Sequence, residues 1–578
     1  MNMNMNMYER LSSKCTGGRR SMKFVLWGCS VSLLMVSLAI ISCSAIKVVG
    51  AKPKPASSHI SSVSRLAVAS ACKDTLYKEA CQSLLLSTSD ALPRTPGELF
   101  DLSVQFSIAR AQSARALVYN LSVSHQKSAG TTHLTRGLDD CVELLDDSLD
   151  RLTSVLEQYR KKNPSPDDIQ TWLSAALTNQ GTCLEGLKDY KLPLFLDLQD
   201  SKAHNVYHFI SNSLALFKPL KSQRPKNPNS VGGRRRLLSP HDFPTWVSPG
   251  ERKLLEASIK DITPHAVVAK DGTGTHTTIA KALSLASLAA GGRTAIYVKA
   301  GTYNENLDIP TSHNNVMLYG DGKGKTVIVG NRNAKSGLTT YQTATVAAMG
   351  DGFIARDITI VNSAGPAGEQ AVALRVGSDK SVVYRCSIIA YQDTLYTLKN
   401  RQFYRETDVY GTVDFIFGNS AVVFQSCNLY ARKPRNGENN YITAQGRTDP
   451  NQNTGISIHN CKIGAASDLA PSKSQISTFL GRPWKEYSRT VIMQSFLDDS
   501  IHPSGWSPWS GSFALKTLYY GEYMNSGPGA STSARVNWPT YHPSLTPTEA
   551  TRFTVASFIA GNLWLPSTGV AFDSGLHA

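Results

Sequence analysis

VVYRCSIIA (382–390), VVFQSCNLYA (422–431) and ISIHNCKIGA (456–465) share an apolar pair, an aromatic residue or Ile, a Cys, and then Ile or Leu. Their cysteines fall 41 and 34 residues apart, which predicts one or two solenoid coils per interval. Outward from these stretches the same texture continues. AIYVKAG, NNVMLYGDG, KTVIVG, DITIVN and TVIMQS are short β-branched runs broken by Gly, Asn and Asp. Long helical patterns are absent between the runs, which argues against a doubly wound sheet. A stacked parallel β-helix fits residues 251–578 best, with a β-sandwich as the second choice.

Residues 60–220 read differently. From Leu134, apolar side chains recur at Leu138, Cys141 with Val142, Leu145, Leu149, Leu152, Leu156 and Tyr159, in steps of three and four that make one helical stripe. Asp139, Asp140, Glu143, Asp146, Asp147 and Asp150 fall on the other side and read as a solvated face rather than a metal site. After Asn163-Pro-Ser-Pro166, Asp167 or Asp168 is placed to cap a second helix, with Ile169, Leu173, Ala176, Gln180, Leu184 and Leu187 on its stripe. Such helices with short connections predict an antiparallel bundle. Cys72 and Cys81 close a short loop, and Cys141 with Cys183 is placed to staple two long helices.

At 578 residues the chain exceeds one ordinary domain. Its formal charge of +16 is uneven: residues 1–238 carry 30 basic and 19 acidic side chains, 239–578 carry 30 and 25. No basic recognition helix or zinc spacing accompanies this charge, so a nucleic-acid partner is not expected and a polyanion of another kind is. Phe24–Ile46 is an uncharged apolar run of 23 residues behind Lys14, Arg19, Arg20 and Lys23. Residues 1–50 therefore read as a signal peptide or signal anchor, the only expected membrane contact. The remainder is expected in the secretory lumen, where Asn120-Leu-Ser is a usable glycosylation sequon and cysteines outside any CxxC pair read as structural. Residues 221–250, rich in Pro, Gly and charge, form a linker. Its Arg235-Arg236-Leu237-Leu238 suits a subtilisin-like processing protease, whose acidic subsites attract arginine.

Neither a GxSxG elbow nor an HExxH helix occurs. The unusual polar residues among apolar strands are QAVAL (370–374), QDTLY (392–396), DFIFGN (414–419) and GRPW (481–484). Asp414 precedes Phe415, Ile416 and Phe417, where an uncompensated carboxylate would be costly to bury. Asp393 lies 21 residues earlier, about one coil. Coils stack at about 4.8 Å, so the two carboxyl groups are expected to face each other. A lone Asp in either motif would read as a turn cap; the pair at coil spacing, with Gln and Arg near, reads as catalytic. Asp498-Asp499 reads as a surface turn.

DDIQTWLSAALTNQGTCLEGL (167–187), with its cysteines, resembles the invertase and pectin methylesterase inhibitor family. That resemblance implies the pairs Cys72–Cys81 and Cys141–Cys183. The four downstream motifs, with GTYNE (301–305) and ITAQGRTDPNQNTG (442–455), resemble the pectin methylesterase (pectinesterase) family, in the plant precursor type where an inhibitor-like pro-region precedes the enzyme. The resemblance implies an all-β right-handed parallel β-helix behind an all-α pro-domain, acting on methyl-esterified pectin in the cell wall. It implies Asp414 as nucleophile, Asp393 as general acid and then base, Gln370 and Gln392 as oxyanion donors, and Arg482 holding Asp414 ionised. Trp484 is expected against the sugar, with Thr340, Tyr396, Phe417 and Trp506 as further cleft candidates. No metal or other cofactor is called for. Thr407 stands where the family often has Cys, so Cys427–Cys461 is the expected substitute pair, with Cys386 free; Phe479 stands where Tyr is frequent. Inhibitor-family proteins are possible partners. A pectin-cleaving lyase or glycosidase, and a non-catalytic inhibitor or wall-binding protein, are the competing readings.

Overall fold

Residues 62–87, 95–126, 132–187, 206–222, 262–288 and 292–577 are described by the computed structural model. Residues 1–50, expected to be a signal peptide or anchor, and Arg235–Leu238, expected to be a processing site, lie outside these residues. Six helices come first: α1 (Ser62–Cys72), α2 (Lys78–Ser87), α3 (Pro96–Gln126), α4 (Thr132–Tyr159), α5 (Pro166–Leu187) and α6 (Val206–Ser222). Helix α4 buries Leu138, Cys141, Leu145, Leu152 and Leu156 as its stripe predicts. Helix α5 is capped differently from expectation. Ser165, not Asp167 or Asp168, takes the cap: its hydroxyl accepts the Asp168 N–H at 3.3 Å, with Pro166 fixing the first helical residue. Asp168 is drawn instead to Arg401 at 2.6 Å. Disulfides Cys72–Cys81 and Cys141–Cys183 close with Cα separations of 5.8 and 4.6 Å. Asn120 is exposed on α3.

From Ala266 the chain winds into three sheets of 11, 8 and 7 strands in which successive strands pair in parallel across coils. This is a parallel β-helix, with the right-handed sense that parallel crossovers favour. Its coils explain the sequence repeat. Strands Ser381–Tyr384, Arg401–Arg405, Ala421–Gln425 and Gly455–His459 stack in order, so the 41-residue interval holds two coils and the 34-residue interval one. Inside the helix, Val383, Tyr404, Phe424, Ile458 and Ile492 form one buried ladder. The other face of that sheet packs Val382, Phe403 and Val423 under Val555, Trp564 and Leu565 near the C-terminus.

The expected Cys427–Cys461 disulfide is not formed; Cys386, Cys427 and Cys461 are buried thiols. Pairing of Ser387, Asp408, Asn428 and Lys462 across coils puts Cys386, Thr407, Cys427 and Cys461 in one column. In-register neighbours point the same way and keep about the 4.8 Å coil spacing, whereas a disulfide needs Cβ atoms at about 3.8 Å. The Cys427 N–H donates to the Cys461 sulfur at 3.3 Å instead.

The seven-stranded sheet carries the site. Its strands are numbered here β1 (Leu307–Ile309), β2 (Val346–Ala348), β3 (Leu374–Val376), β4 (Leu395–Thr397), β5 (Ile416–Gly418), β6 (Asn440–Gln445) and β7 (Thr478–Gly481). Gly418 ends β5 at φ 131°, and a Cβ there would lie 2.1 Å from the Thr397 carbonyl oxygen. Gly418→Ala should therefore cost well over ~1 kcal/mol and lower the thermal midpoint of the full chain by several degrees. An unchanged midpoint would contradict this account of the coil.

Candidate active site

Leu395 pairs with Ile416 across β4 and β5, so Asp393 and Asp414, each two residues ahead, occupy equivalent places on neighbouring coils. Both adopt left-handed backbone, with φ of 59° and 50°. That conformation is costly for a residue with a side chain, and here it turns each carboxyl out of the coil. The Asp393 N–H donates to the Val413 carbonyl at 3.0 Å, tying one loop to the next. Arg482, just past β7, donates from Nε and Nη2 to the two Asp414 oxygens at 2.8 and 2.6 Å. Its guanidinium lies between the rings of Tyr441 and Trp509, 4.0 and 4.4 Å from their centroids, which fixes the fork's plane. Phe479 in turn stacks on Tyr441, with ring centroids 5.5 Å apart.

The two acids differ electrostatically. Burial, then the charge of Asp414, pushes Asp393 well above the usual carboxylate range. Burial also raises Asp414, and Arg482 opposes that rise through its hydrogen bonds without reversing it. Desolvation works against ionisation at both acids, and the guanidinium fork that opposes it is made to Asp414 alone. The pair can still divide its labour, since Asp414 is bonded to a cation and Asp393 is not.

A cavity of about 590 Å³ contains both aspartates, with Gln370, Gln392, Thr340, Tyr396, Phe417, Arg482 and Trp484 on its walls. Tyr396 and Phe417 stack on successive coils at 4.2 Å, and Trp484 meets Phe417 edge-on at 5.9 Å. Trp506 is the exception among the candidates. It is 1% exposed, sits in the coil interior and donates its ring N–H to Glu522. Trp509 was not singled out by the sequence, although it stands close after Trp506 in the same run of aromatics and lines the cavity.

The bundle adds Gly137, Asp140, Thr182 and Glu185 to the wall, beside Thr339, Tyr341 and Ala444 of the β-helix. Here the acidic face of α4 departs from the solvated reading: Asp140 and Asp147 are buried. Asp140 accepts from Thr339 and Gln342 at 2.5 and 2.8 Å, and Tyr341 donates to Glu143 at 2.9 Å. Asp147 takes the ammonium of the fully buried Lys399, which also bonds Asn179 at 2.7 Å. Arg151 forks Asp351 with two bonds of 2.7 Å, and Glu185 meets Lys485 at 2.7 Å. One apolar cluster runs without a break from Leu138 and Leu173 in the bundle to Tyr396 and Phe417 on the sheet. Burial would raise Asp147, but Lys399 and Arg151 bring it down to about 2. Burial lifts Asp140 to about 7 against its two hydrogen bonds and Arg375, with Glu143 adding to the rise.

A model of the pectinesterase family matches residues 265–562, and one of the plant invertase/pectin methylesterase inhibitor family matches 66–216. "Probable pectinesterase/pectinesterase inhibitor 35" of Arabidopsis thaliana is 61% identical over 496 residues, 85% of this chain and 90% of that protein. "Pectinesterase 2" of Citrus sinensis is 49% identical over 521 residues, 88% of this chain and 95% of its own. The solved pectin methylesterase from carrot is similar at 54% identity and TM-score 0.54, covering 55% of this chain and 99% of its own length.

The charge states give docking a pH dependence. An undocked carboxylate titrates near ~3.9. Asp140 at about 7 when docked contributes stability present in full below that reference and lost as pH rises to 7. Asp147 at about 2 contributes above the reference and loses its share only in strong acid. With the chain cut once between 221 and 250, dissociation of the bundle should increase at least ~10-fold from pH 5 to 7.5, measured by size exclusion. Asp140→Asn should flatten most of that change, because an amide is neutral at every pH. An equally steep Asn variant would refute the assignment.

Proposed function

Because the chain belongs to the pectinesterase family and carries an inhibitor-like bundle ahead of the enzyme, we propose that it de-esterifies cell-wall homogalacturonan through Asp414 and Asp393. The observation that carries this reading is the pairing of the two acids on neighbouring coils, one forked by Arg482 and the other not. Ionised Asp414 attacks the C6 ester carbonyl, and Gln370 and Gln392 donate to the oxygen as it becomes negative. Protonated Asp393 gives its proton to departing methoxide, which leaves as methanol. The galacturonyl group is then held as an anhydride on Asp414. Asp393, now a base, takes a proton from water; the hydroxide attacks that carbonyl, releasing galacturonate and restoring Asp414. Neutral amides suit the oxyanion because they stabilise charge without titrating.

The bundle lies across the groove that a polymer must enter, which supports an inactive precursor. In this reading residues 1–50 direct the chain into the secretory pathway and Asn120 is glycosylated there. A subtilisin-like protease cuts after Arg235-Arg236-Leu237-Leu238, and residues 251–578 act in the cell wall. Docking of 60–220 on its own catalytic part, in place of a separate enzyme, is favoured by the matched pairs Lys399–Asp147, Arg151–Asp351 and Arg401–Asp168.

Residues 239–578 should release methanol from methylated pectin without new reducing ends; unsaturated or shortened products would favour the lyase or glycosidase reading. Asp414→Asn should lower kcat at least ~1,000-fold with folding intact, and near-normal turnover would reject the nucleophile. Arg482→Lys should also be severely impaired, since an ammonium cannot fork two oxygens between two rings. The rate should rise with pH as Asp414 ionises and fall as Asp393 loses its proton. Gln392→Ala should lower kcat about 100-fold and leave the pH limbs in place, as assayed by methanol release.

A further inference from the structure

Where the last turn of α6 meets the turn after β6 and the segment around Arg552, bundle and β-helix enclose a cavity of about 380 Å³. That volume falls in the range of ~300–1,000 Å³ usual for small-molecule sites. None of its residues lines the catalytic cavity. Five cationic side chains converge on it with one carboxylate, that of Asp167: Lys218 and Lys221 come from α6, and Arg447, Arg489 and Arg552 from the other side of the seam. Lys221 takes Asp167 at 2.7 Å. The other four cations form no ion pair among the described residues. Lys218 and Arg552 are exposed on the rim, while Arg447 and Arg489 lie deeper. These two have only main-chain acceptors. Arg447 donates to the Gln452 carbonyl at 3.1 Å and to that of Pro450, and Arg489 donates from Nε to Thr454 at 2.7 Å. Phe558 flanks the Arg489 guanidinium, 5.4 Å from its ring centroid. Burial brings Arg447 down to about 10, and burial with the charge of Arg447 holds Arg489 well below its ordinary value. Like charges kept together in a partly dry seam are unfavourable until an anion joins them.

We propose that this seam binds a run of carboxylates, as in de-esterified galacturonan, and that the bound polymer holds the bundle on the enzyme. The choice of a uronate rests on the esterase reading above, whose product carries a carboxylate on each sugar; the cationic cavity does not depend on it. Gln170, Asn451 and Tyr519 stand among the cations on the same wall. Amides and an aromatic ring suit the hydroxyls and the face of a sugar, and a bare inorganic anion has no use for them. Because the cations come from both sides of the seam, a ligand spanning them binds the docked state better than either half alone. By mass action it therefore opposes separation. Accumulated product would in this way restrain the release of more enzyme.

The test uses the full chain, with the bundle over the groove, and calorimetry on fully de-esterified trigalacturonate. The fully methyl-esterified trimer should bind at least ~10-fold more weakly, measured on Asp414→Asn so that the ester persists. Changing Lys218→Gln and Arg552→Gln together should weaken trigalacturonate at least ~10-fold. Lys218→Arg with Arg552→Lys, which keeps both charges, should stay within about threefold of the unaltered chain. After a single cut between 221 and 250, saturating trigalacturonate should leave at least ~10-fold less free bundle in the unaltered protein than in the double Gln variant, with the two within about twofold when no ligand is present. Binding in the vacated groove is common to both proteins and cancels. Undiminished affinity in the double Gln variant would put the ligand elsewhere and overturn the proposal. So would equal affinity for the esterified trimer, or tighter binding of inorganic phosphate than of trigalacturonate. Equal release from both cut proteins at saturating ligand would overturn the clamp. Failure of residues 239–578 to yield methanol would sink the esterase reading instead and leave these binding results standing.

Discussion

Parallel, in-register pairing between coils is the constraint on which the molecule depends. It places residue 414 beside residue 393, Phe417 against Tyr396, and Tyr396 against Arg375, because each position inherits the direction of its neighbour one coil away. The same rule serves packing and chemistry. Inside the coil it stacks Val383, Tyr404, Phe424 and Ile458 into an apolar ladder. Outside, at the seven-stranded sheet, it brings like groups together: two acids, then two aromatic rings. A slip of one residue would turn each of these side chains to the opposite face. The acids are therefore held near each other by the whole stack of main-chain hydrogen bonds, and their mutual repulsion is tolerated because the fold resists separating them.

That enforced proximity makes the roles unequal. Both carboxyls are desolvated, which favours protonation, and only Asp414 has a guanidinium fork to offset it. Asymmetry in partners, rather than in burial, is what distinguishes the two carboxyls. Tyr441 and Trp509 matter through this asymmetry, since they keep the guanidinium plane aligned with Asp414.

Much of this was legible in the amino-acid order. The recurring Cys-containing runs point to a coiled repeat but leave one or two coils per interval, whereas the 21-residue separation of Asp393 from Asp414 matches one coil. Periodicity also located α4 and α5. What escaped the reading depended on contacts between distant segments. The acidic side of α4 has the pattern of a solvated face, because nothing local reveals that Lys399, some 250 residues later, will be buried against Asp147. Trp506 and Trp509 are alike in composition and differ only in whether a strand turns them inward. Cys427 and Cys461 have suitable spacing for a pair, but parallel stacking keeps their side chains side by side.

The breadth of the contact between bundle and sheet has a consequence for liberation of the enzyme. Severing the chain in the 221–250 segment would leave in place the ion pairs, hydrogen bonds and apolar contacts described above between bundle and sheet. It would instead turn an internal equilibrium into one between two molecules, abolishing the high local concentration that tethering imposes. Proteolysis would thus grant permission to separate without supplying the force. Dilution or a change in acidity would then decide when the bundle departs.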